Sequence, residues 1–371
     1  MTDAQQSVHS IDTPALVVDL DAMERNIATM AAFARSHQIA WRPHAKMHKS
    51  AELARLLVQA GAVGVCVQKT SEAEALVAGG VTDLYISNEV VSLSKLERVA
   101  HMARALQAKN GNISIAVDSV EGIRRLAAAL DKTQASMRVF VEIDVGQNRC
   151  GVQPGPAAVA LAQEVQRHPR LHFAGLQAYH GKAQHLRSAA ARAEAIQHVV
   201  QAVRSTRALI EAAGIPVPLV TGAGTGTFIH EAASGVYGEL QPGSFLFMDA
   251  DYASNEADPA APVFEHALFV KTQVISVCAT HAVCDAGHKS HAIDSGLPRM
   301  WNSTLAYGNG GDEHGILRGP VLPALGDTLW LVPGHCDPTV NLYDQLVGVR
   351  GGLQSGVVER LIRVDARGAL T

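Results

Sequence analysis

The sequence predicts an α/β protein that combines a (β/α)8 barrel with a mostly antiparallel β domain. Up to about residue 245, eight short apolar runs alternate with helix-favouring segments. Buried parallel strands are continuous apolar runs of this kind, because helices cover both of their faces. After Ser244 the helical periodicity disappears. A doubly wound parallel sheet is the alternative that this alternation leaves open.

The barrel is predicted to span residues 20–245. Asp21 is expected to cap its first helix, whose apolar residues fall on one face. Alanine-rich segments such as 189–213 supply further helices. The eight expected strands are 39–41, 64–67, 84–87, 113–117, 139–143, 173–176, 218–220 and 236–240.

The second domain is predicted to span residues 246–371. Strand-like runs at 267–277 and 328–332 are separated by turns rich in glycine, proline and aspartate.

Composition narrows the class of protein. A hydrophobic content of 47% and a charged content of 18% indicate a folded protein with a sizeable core. The net charge of -4 shows no basic excess, so nucleic acid is not an expected partner. No apolar run approaches the roughly 18 residues of a membrane helix, and no secretory signal is visible. Five scattered cysteines indicate reduced thiols and a cytoplasmic location.

A basic segment, WRPHAKMHKS (41–50), directly follows the first expected strand. Polar residues at the carboxyl ends of barrel strands lie at the active-site face. A lysine there, its pKa lowered by neighbouring positive charge, can form a Schiff base with an aldehyde. A solvated loop that leads into a helix near Ser50 explains the same residues.

Three later segments carry further candidate groups. Segment 141–151 presents Arg149, which can bind a phenolate or a carboxylate, or form a surface ion pair. The alternate glycines of TGAGTGT (221–227) let backbone N–H groups approach an anion, and QPGS (241–244) can close that cradle. Barrels often bind phosphate in the loops after strands seven and eight.

His335 and Asp337 lie two residues apart in VPGHCDP, within the expected β domain. In an extended chain both side chains point to one face, while Cys336 points away. Such a pair can hold a cation such as Mn²⁺, with water as the remaining ligands. A turn before Pro338 accounts for the same residues.

These motifs resemble the D-threonine aldolase group of fold-type III pyridoxal-phosphate enzymes, which includes 3-hydroxy-D-aspartate aldolases. The resemblance runs from about Ile11 to Gly368 and implies an alanine-racemase-like barrel, with the N-terminal strand of residues 1–19 joined to the β domain. The motifs in chain order are IDTPALVVDLDAMERN, RPHAKMHKS, CVQKTSEAEA, ISNEVV, VEIDVGQNRCGV, GLQAYHG, TGAGTG, ELQPGSF, MDADY, DEHG and VPGHCDPTVNLYD.

By this resemblance Lys46, and not Lys49, matches the lysine that holds pyridoxal 5'-phosphate. Arg149 matches the arginine beside the cofactor's phenolic oxygen. Gln241 stands where alanine racemases carry an arginine that faces the pyridine nitrogen, and a neutral partner is expected to leave that nitrogen unprotonated. The other implied cofactor contacts are Tyr179, Gly222, Gly224, Thr225, Gly243, Ser244 and Tyr252.

The resemblance also implies an activity. His185 matches a histidine proposed as catalytic base, and His335 and Asp337 match the ligands of a divalent metal. Mn²⁺ is the expected ion, with Mg²⁺, Co²⁺ or Zn²⁺ as alternatives. The implied enzyme is a carbon–carbon lyase that cleaves D-3-hydroxy-amino acids to glycine and an aldehyde. It is expected to form a homodimer in which the β domain of one chain covers the barrel mouth of the other.

Two other functions are weighed against the aldolase. Related D-serine or D-3-hydroxyaspartate dehydratases share the fold but bind zinc through a His-x-Cys pair. Here Asp337 occupies the second position, which favours the aldolase. Non-catalytic pyridoxal-phosphate carriers share the barrel but lack a C-terminal β domain, so the long segment after Ser244 disfavours them.

Overall fold

The computed structural model describes residues 6–371, and the first strand of this range lies outside the barrel. Strand β1 (Ala15–Asp19) leads directly into helix α1 (Leu20–Ser36). The Asp19 side chain caps this helix by accepting a hydrogen bond of 3.1 Å from the backbone of the first turn. The prediction that Asp21 is the cap is therefore wrong, because that carboxylate instead pairs with Arg350 at 2.9 Å. The residues expected on the inner face of α1 are buried: Met23, Ile27, Met30 and Ala34.

Eight parallel strands and the helices between them follow. The strands are β2 (Ala40–Trp41), β3 (Val65–Val67), β4 (Asp83–Ile86), β5 (Asn112–Val117), β6 (Met137–Glu142), β7 (Leu171–Ala178), β8 (Leu219–Gly222) and β9 (Glu239–Leu240). The helices are α2 (Ala51–Gln59), α3 (Thr70–Ala78), α4 (Leu93–Gln107), α5 (Val120–Thr133), α6 (Pro156–Gln166), α7 (Ala189–Ala212) and α8 (Phe228–Ala233). Each of the eight expected strands overlaps an observed one.

The strand order shows that the parallel sheet is a barrel. Its order is β2-β9-β8-β7-β6-β5-β4-β3, so it follows the chain without reversal. The gap between β2 and β3 is bridged by backbone hydrogen bonds from Val63 N to Trp41 O (3.0 Å) and from Cys66 N to Pro43 O (2.9 Å). A doubly wound sheet requires a reversal of strand order, so that alternative is excluded.

The interior of the barrel is filled with side chains. Cys66, Tyr85, Ala116 and Phe140, from four neighbouring strands, pack together and are almost completely buried. The Tyr85 hydroxyl donates a hydrogen bond of 3.0 Å to Gln177 Oε1. This packing leaves no open channel through these strands, so a ligand binds at an end of the barrel.

The rest of the chain forms a second, mostly antiparallel sheet. Its elements are β10 (Leu268–Val277), β11 (Ala282–Cys284), β12 (Arg299–Met300), β13 (Ala306–Asn309), β14 (Gly315–Arg318), β15 (Thr328–Val332), α9 (Cys336–Val340), β16 (Gln345–Arg350), α10 (Gly352–Ser355) and β17 (Val357–Arg363). The strand order is β13-β14-β11-β10-β1-β16-β17, and β15 pairs with both β10 and β12. Strand β1 runs antiparallel to β10 and parallel to β16. The fold class predicted from the sequence is confirmed.

The last residues of the chain return to the barrel. Asp365 Oδ2 accepts a hydrogen bond of 2.8 Å from Ala51 N, at the start of α2, and Thr371 O accepts one of 2.9 Å from Ser71 N. These contacts hold α2 and α3 against the second sheet, next to the segment that carries Lys46. None of the helices in residues 6–371 has the apolar length that a bilayer span requires.

Candidate active site

A cavity of about 320 Å³ lies at the carboxyl ends of the barrel strands. Loops that follow most of these strands line it, together with the segment that starts α9. The structure thus brings together groups that are far apart in the sequence. The expected site residues that line the cavity are Lys46, Arg149, Tyr179, His185, Gly224, Thr225, Gln241, Gly243, Ser244, Tyr252, His335 and Asp337.

Lys46 lies in a single 3-10 turn, Ala45–Met47, that follows β2. The turn begins at His44, whose Nδ1 accepts a hydrogen bond of 3.3 Å from Lys46 N. The Lys46 side chain is 44% exposed, and its Nζ lies 3.2 Å from Asp337 Oδ2. The lysine at the mouth of the barrel therefore meets a carboxylate that belongs to the second sheet's part of the chain.

This contact reverses the expected electrostatics of Lys46. The sequence predicted that neighbouring positive charge lowers the pKa of this lysine. Instead the Asp337 carboxylate raises its pKa, and outweighs burial and Arg149, which both act to lower it. The local sequence is rich in positive charge, but the fold adds an opposing charge from a distant segment.

Lys49 is buried and paired within the fold. Its backbone φ of 51° lies in the left-handed region, and its side chain is buried. Lys49 Nζ pairs with Glu72 Oε1 at 2.7 Å and donates a hydrogen bond of 3.4 Å to Ala366 O. An ammonium held in this way is not free to react, which supports Lys46 as the reactive lysine.

His44 belongs to the site although the sequence did not single it out. Its imidazole is buried, and burial lowers its pKa well below the usual value. Because Nδ1 accepts from Lys46 N, the neutral ring carries its proton on Nε2. That N–H can donate to Ser87 Oγ, which lies 3.2 Å away. The position of His44 two residues before Lys46 was its only sequence signal.

The loop after β8 has the features of an anion-binding cradle. Gln184 braces it from behind, accepting from Gly226 N at 2.9 Å and donating to Thr227 Oγ1 at 2.8 Å. Within residues 6–371 the backbone N–H groups of Gly224, Thr225 and Gly243 have no hydrogen-bond acceptor. Such free donors at a cavity wall suit a phosphate group.

Gly222 is not among the residues that line the cavity, so its role as a cofactor contact stays a prediction. It ends β8, and its carbonyl accepts a hydrogen bond of 2.7 Å from Gln241 N. A Cβ at this position would lie 2.2 Å from Ala178 O. Glycine is required here for close packing of neighbouring strands, which produces the same sequence pattern as an anion-binding loop.

Gln241 ends a buried chain of hydrogen bonds. Its Nε2 donates to Thr221 Oγ1 at 2.7 Å and to Gln177 Oε1 at 2.9 Å. Thr221 in turn donates to Glu239 Oε1 at 2.7 Å, and this carboxylate pairs with Arg42 at 3.0 Å. Both amide hydrogens of Gln241 are thus used, and its Oε1 in turn accepts a hydrogen bond of 3.4 Å from Gln177 Nε2. This reciprocal pair of amides fixes the orientation of Gln241 at the cavity, and the effect of its neutral side chain on a pyridine nitrogen stays a prediction.

Arg149 is exposed at the cavity wall, with its guanidinium 5.9 Å from the centre of the Tyr179 ring. It has no ion-pair partner among the described residues, so its charge is available for an anion. A cluster of Glu89, Asp118 and Cys150 lies nearby, its ligand atoms within 4.8 Å of one another. Burial raises the pKa of the Cys150 thiol to about 12 and raises that of Glu89. Raised pKa values favour the protonated, neutral forms of Glu89 and Cys150, which reduces the negative charge of this cluster.

His185 is oriented by a carboxylate that the sequence prediction missed. Its Nδ1 lies 2.5 Å from Asp251 Oδ2, and Arg187 holds the other oxygen of Asp251. The His185 ring is 45% exposed and lines the cavity. An Nδ1–H bond to a carboxylate leaves the lone pair on Nε2, as a general base requires. Asp251 lies in the MDADY motif, which was its only sequence signal.

His335 and Asp337 converge, but not through an extended chain. His335 has extended backbone angles, whereas α9 begins at Cys336. His335 Nε2 nevertheless lies 3.8 Å from Asp337 Oδ1, a buried oxygen without a hydrogen-bond partner. Burial acts to lower the pKa of His335, but Asp337 and Asp294 raise it. An unpartnered carboxylate oxygen opposite an imidazole nitrogen fits a divalent cation.

A buried carboxylate, Asp249, connects the segment of His335 and Asp337 to the loop that follows the barrel strands. Asp249 accepts hydrogen bonds from Tyr252 N at 2.9 Å and from Cys336 N at 3.1 Å. Backbone bonds from Ala250 N to Pro333 O and from Asp251 N to Gly334 O run beside it. One loop therefore positions Tyr252, Asp251 and the start of α9 together.

Comparison with known families follows the division into two parts. Residues 18–251 match the family model of the alanine racemase N-terminal domain. Residues 267–349 match the model of a putative serine dehydratase domain.

Individual relatives match nearly the whole chain. The D-threonine aldolase of Arthrobacter sp. is 44% identical over 364 residues, which cover 96% of this chain and 93% of the relative. The 3-hydroxy-D-aspartate aldolase of Paracoccus denitrificans (strain Pd 1222) is 41% identical, with coverage of 96% and 92%. The crystal structure of a D-threonine aldolase from Filomicrobium marinum superposes with a TM-score of 0.95, at 44% identity and with 99% of each chain covered.

Proposed function

Because this chain belongs to the family of D-threonine and 3-hydroxy-D-aspartate aldolases, built on the alanine-racemase barrel, we propose that it cleaves D-3-hydroxy-amino acids to glycine and an aldehyde. The chain is a carbon–carbon lyase of this family. The observation that carries the proposal is the convergence of Lys46, His185 and the His335–Asp337 pair on one cavity.

The cavity fits pyridoxal phosphate. Lys46 Nζ is accessible for a covalent bond to the cofactor's aldehyde, whereas Lys49 is not. The free backbone N–H groups of Gly224, Thr225 and Gly243 suit its phosphate, and Arg149 suits its phenolic oxygen. When bound, the cofactor supplies a ring that accepts the electron pair released as a bond to the substrate's α-carbon breaks.

The His335–Asp337 pair fits a divalent metal ion. The imidazole Nε2 and the unpartnered Asp337 Oδ1 face one another, and both residues line the cavity beside Lys46. A nitrogen and an oxygen ligand suit Mn²⁺ and related ions, which supply positive charge close to a substrate hydroxyl.

His185 is the residue that we assign to proton removal. Asp251 holds its Nδ1, so its Nε2 is the nitrogen left to accept a proton from the substrate's β-hydroxyl. Loss of that proton is the event that opens the bond between the α- and β-carbons. Arg187 keeps Asp251 in place by binding its second oxygen and its backbone carbonyl.

Product analysis on purified protein tests this function. D-threonine should give glycine and acetaldehyde in equal amounts, and the L-isomer should give neither. D-3-hydroxyaspartate should be cleaved in the same way, whereas D-serine should not yield pyruvate and ammonia as main products. Stoichiometric ammonia and keto acid from the D-substrates would overturn the proposal.

Those products would instead identify a dehydratase, which is favoured by the serine dehydratase model over residues 267–349. The ligand pair argues against it. Cys336, between His335 and Asp337, is buried with its Sγ 3.9 Å from Met248 O, so its thiol does not line the cavity. The homodimer and the cytoplasmic location stay predictions.

A further inference from the structure

A turn of the second sheet's part of the chain lies against the candidate metal ligand His335. The turn, residues 293–297, precedes β12 and carries Asp294, whose side chain is 52% exposed. Asp294 Oδ2 lies 2.7 Å from His335 Nδ1, and Ser295 Oγ lies 3.3 Å from the same nitrogen. Neither residue lines the cavity, so both act on it only through His335.

The hydrogen bond to Asp294 determines which nitrogen of His335 is free. A carboxylate that accepts from Nδ1–H leaves the lone pair on Nε2. His335 Nε2 is the nitrogen that faces Asp337 Oδ1, at 3.8 Å. Histidines that bind metals commonly donate their other ring N–H to a carboxylate, which fixes both the tautomer and the ring orientation.

The turn is docked on the segment that it orients. A Cβ on Gly334 would lie 2.2 Å from Gly296 O, so only glycine permits this close approach. Ala292 N donates to Thr339 Oγ1 at 3.0 Å, and Thr339 Oγ1 donates to His335 O at 2.7 Å. These contacts on either side of Asp294 make its position part of the fold.

We propose that Asp294 is a positioning residue that holds His335 with its Nε2 lone pair directed at the cation site beside Asp337. The proposal rests on the proposed function, because it requires His335 to be a metal ligand. Asp294 touches neither the substrate nor the metal, and its effect passes through the imidazole.

Mn²⁺ affinity of the cofactor-loaded protein tests this role directly. The protein is stripped with a chelator and titrated with MnCl₂, and free Mn²⁺ is followed by electron paramagnetic resonance. Asp294→Ala should weaken Mn²⁺ binding by about 10- to 100-fold, the usual cost of losing such a partner. Asp294→Asn, whose amide oxygen can still accept from Nδ1–H, should recover most of the affinity. Asp131→Ala, on helix α5, is the matched control, because it also removes an exposed carboxylate and should bind Mn²⁺ like the unsubstituted protein.

The cofactor absorbance and the melting temperature should be nearly unchanged in all three variants, because the Asp294 and Asp131 side chains are exposed. Wild-type Mn²⁺ affinity in Asp294→Ala, or equal weakening in the alanine and asparagine variants, would overturn the positioning role. Asp337→Ala separates this result from the proposed function. If Asp337→Ala also keeps full Mn²⁺ affinity, the metal site itself is wrong. If only Asp337→Ala loses affinity, the site stands and Asp294 does not position it.

Discussion

Asp337 uses its two oxygens for two different parts of the site. Oδ2 lies 3.2 Å from Lys46 Nζ, while Oδ1 faces His335 Nε2 at 3.8 Å. The Lys46 ammonium and the proposed metal ion would thus be drawn to the same carboxylate. The two lysines of the RPHAKMHKS segment differ for this reason: Lys46 meets Asp337 in a cavity, and Lys49 meets Glu72 in the core.

Substitution of Lys46 should affect cofactor binding and activity, whereas substitution of Lys49 should affect stability. Lys46→Ala should abolish the visible cofactor band and the cleavage of D-threonine, with little change in the stability of the cofactor-free protein. Lys49→Ala leaves the buried Glu72 carboxylate without its cation, which should lower the free energy of unfolding by about 3–5 kcal/mol. Absorbance spectra and urea unfolding measure the two effects. Borohydride reduction followed by peptide mapping is the control, and a reduced cofactor on Lys49 would contradict the assignment.

Helix α8 supports the anion-binding loop through a buried acid. Glu231 is 1% exposed, and its Oε1 accepts a hydrogen bond of 2.8 Å from Thr227 Oγ1, at the end of the loop. Its other oxygen has no hydrogen-bond partner within residues 6–371. Burial raises the pKa of Glu231 to about 7. Glu231 in helix α8 therefore keeps its proton in the folded state at a pH where a glutamate in the unfolded chain has lost it.

The stability of the protein should therefore fall as the pH rises from about 4.5 to 7 on account of this residue. Between these pH values the folded state keeps a proton that the unfolded state releases, so the contribution of Glu231 to the free energy of unfolding falls as the pH rises. Above pH 7 both states have lost the proton, and the contribution no longer changes. The stability of Glu231→Gln relative to the unsubstituted protein should therefore be about 2 kcal/mol higher at pH 8 than at pH 5. Urea unfolding at the two pH values measures the difference. Glu194→Gln, at an exposed position, is the control, and equal behaviour of the two variants would contradict the prediction.

At the scale of the whole molecule, one chain brings both halves of the site together. The barrel supplies Lys46 and His185, and the part of the chain after β15 supplies His335 and Asp337. The sequence predicted that the β domain of one chain covers the barrel mouth of its partner. The 3.2 Å contact between Lys46 and Asp337 of the same chain contradicts that arrangement for the proposed metal ligands.

Mixing Lys46→Ala protein with Asp337→Ala protein should consequently restore no activity. Every site in a mixed assembly then lacks either the lysine or the carboxylate, since both come from one chain. Cleavage of D-threonine after a denaturation and refolding step that exchanges subunits measures this. Recovery of a quarter or more of the wild-type rate would show that the two residues meet across an interface.

The sequence by itself determined the architecture and most of the site. Buried parallel strands are nearly all apolar, so all eight barrel strands could be located from their composition. Lys46, Arg149 and the 221–227 loop follow strand ends, and parallel strands place their carboxyl ends on one face. Sequence resemblance supplied the chemical roles. One error was local: Asp19, and not Asp21, caps α1.

Only the tertiary structure decided the electrostatics of the site. The pKa of Lys46 is raised because Asp337, distant in sequence, comes within 3.2 Å of it. Asp251 and Asp294 orient the two imidazoles, and no sequence periodicity marks either residue as a partner of a histidine. Coulomb and hydrogen-bond energies depend on the distances between atoms, which the packing of the two sheets sets. Strand patterns reflect burial and are visible locally, whereas these distances are not.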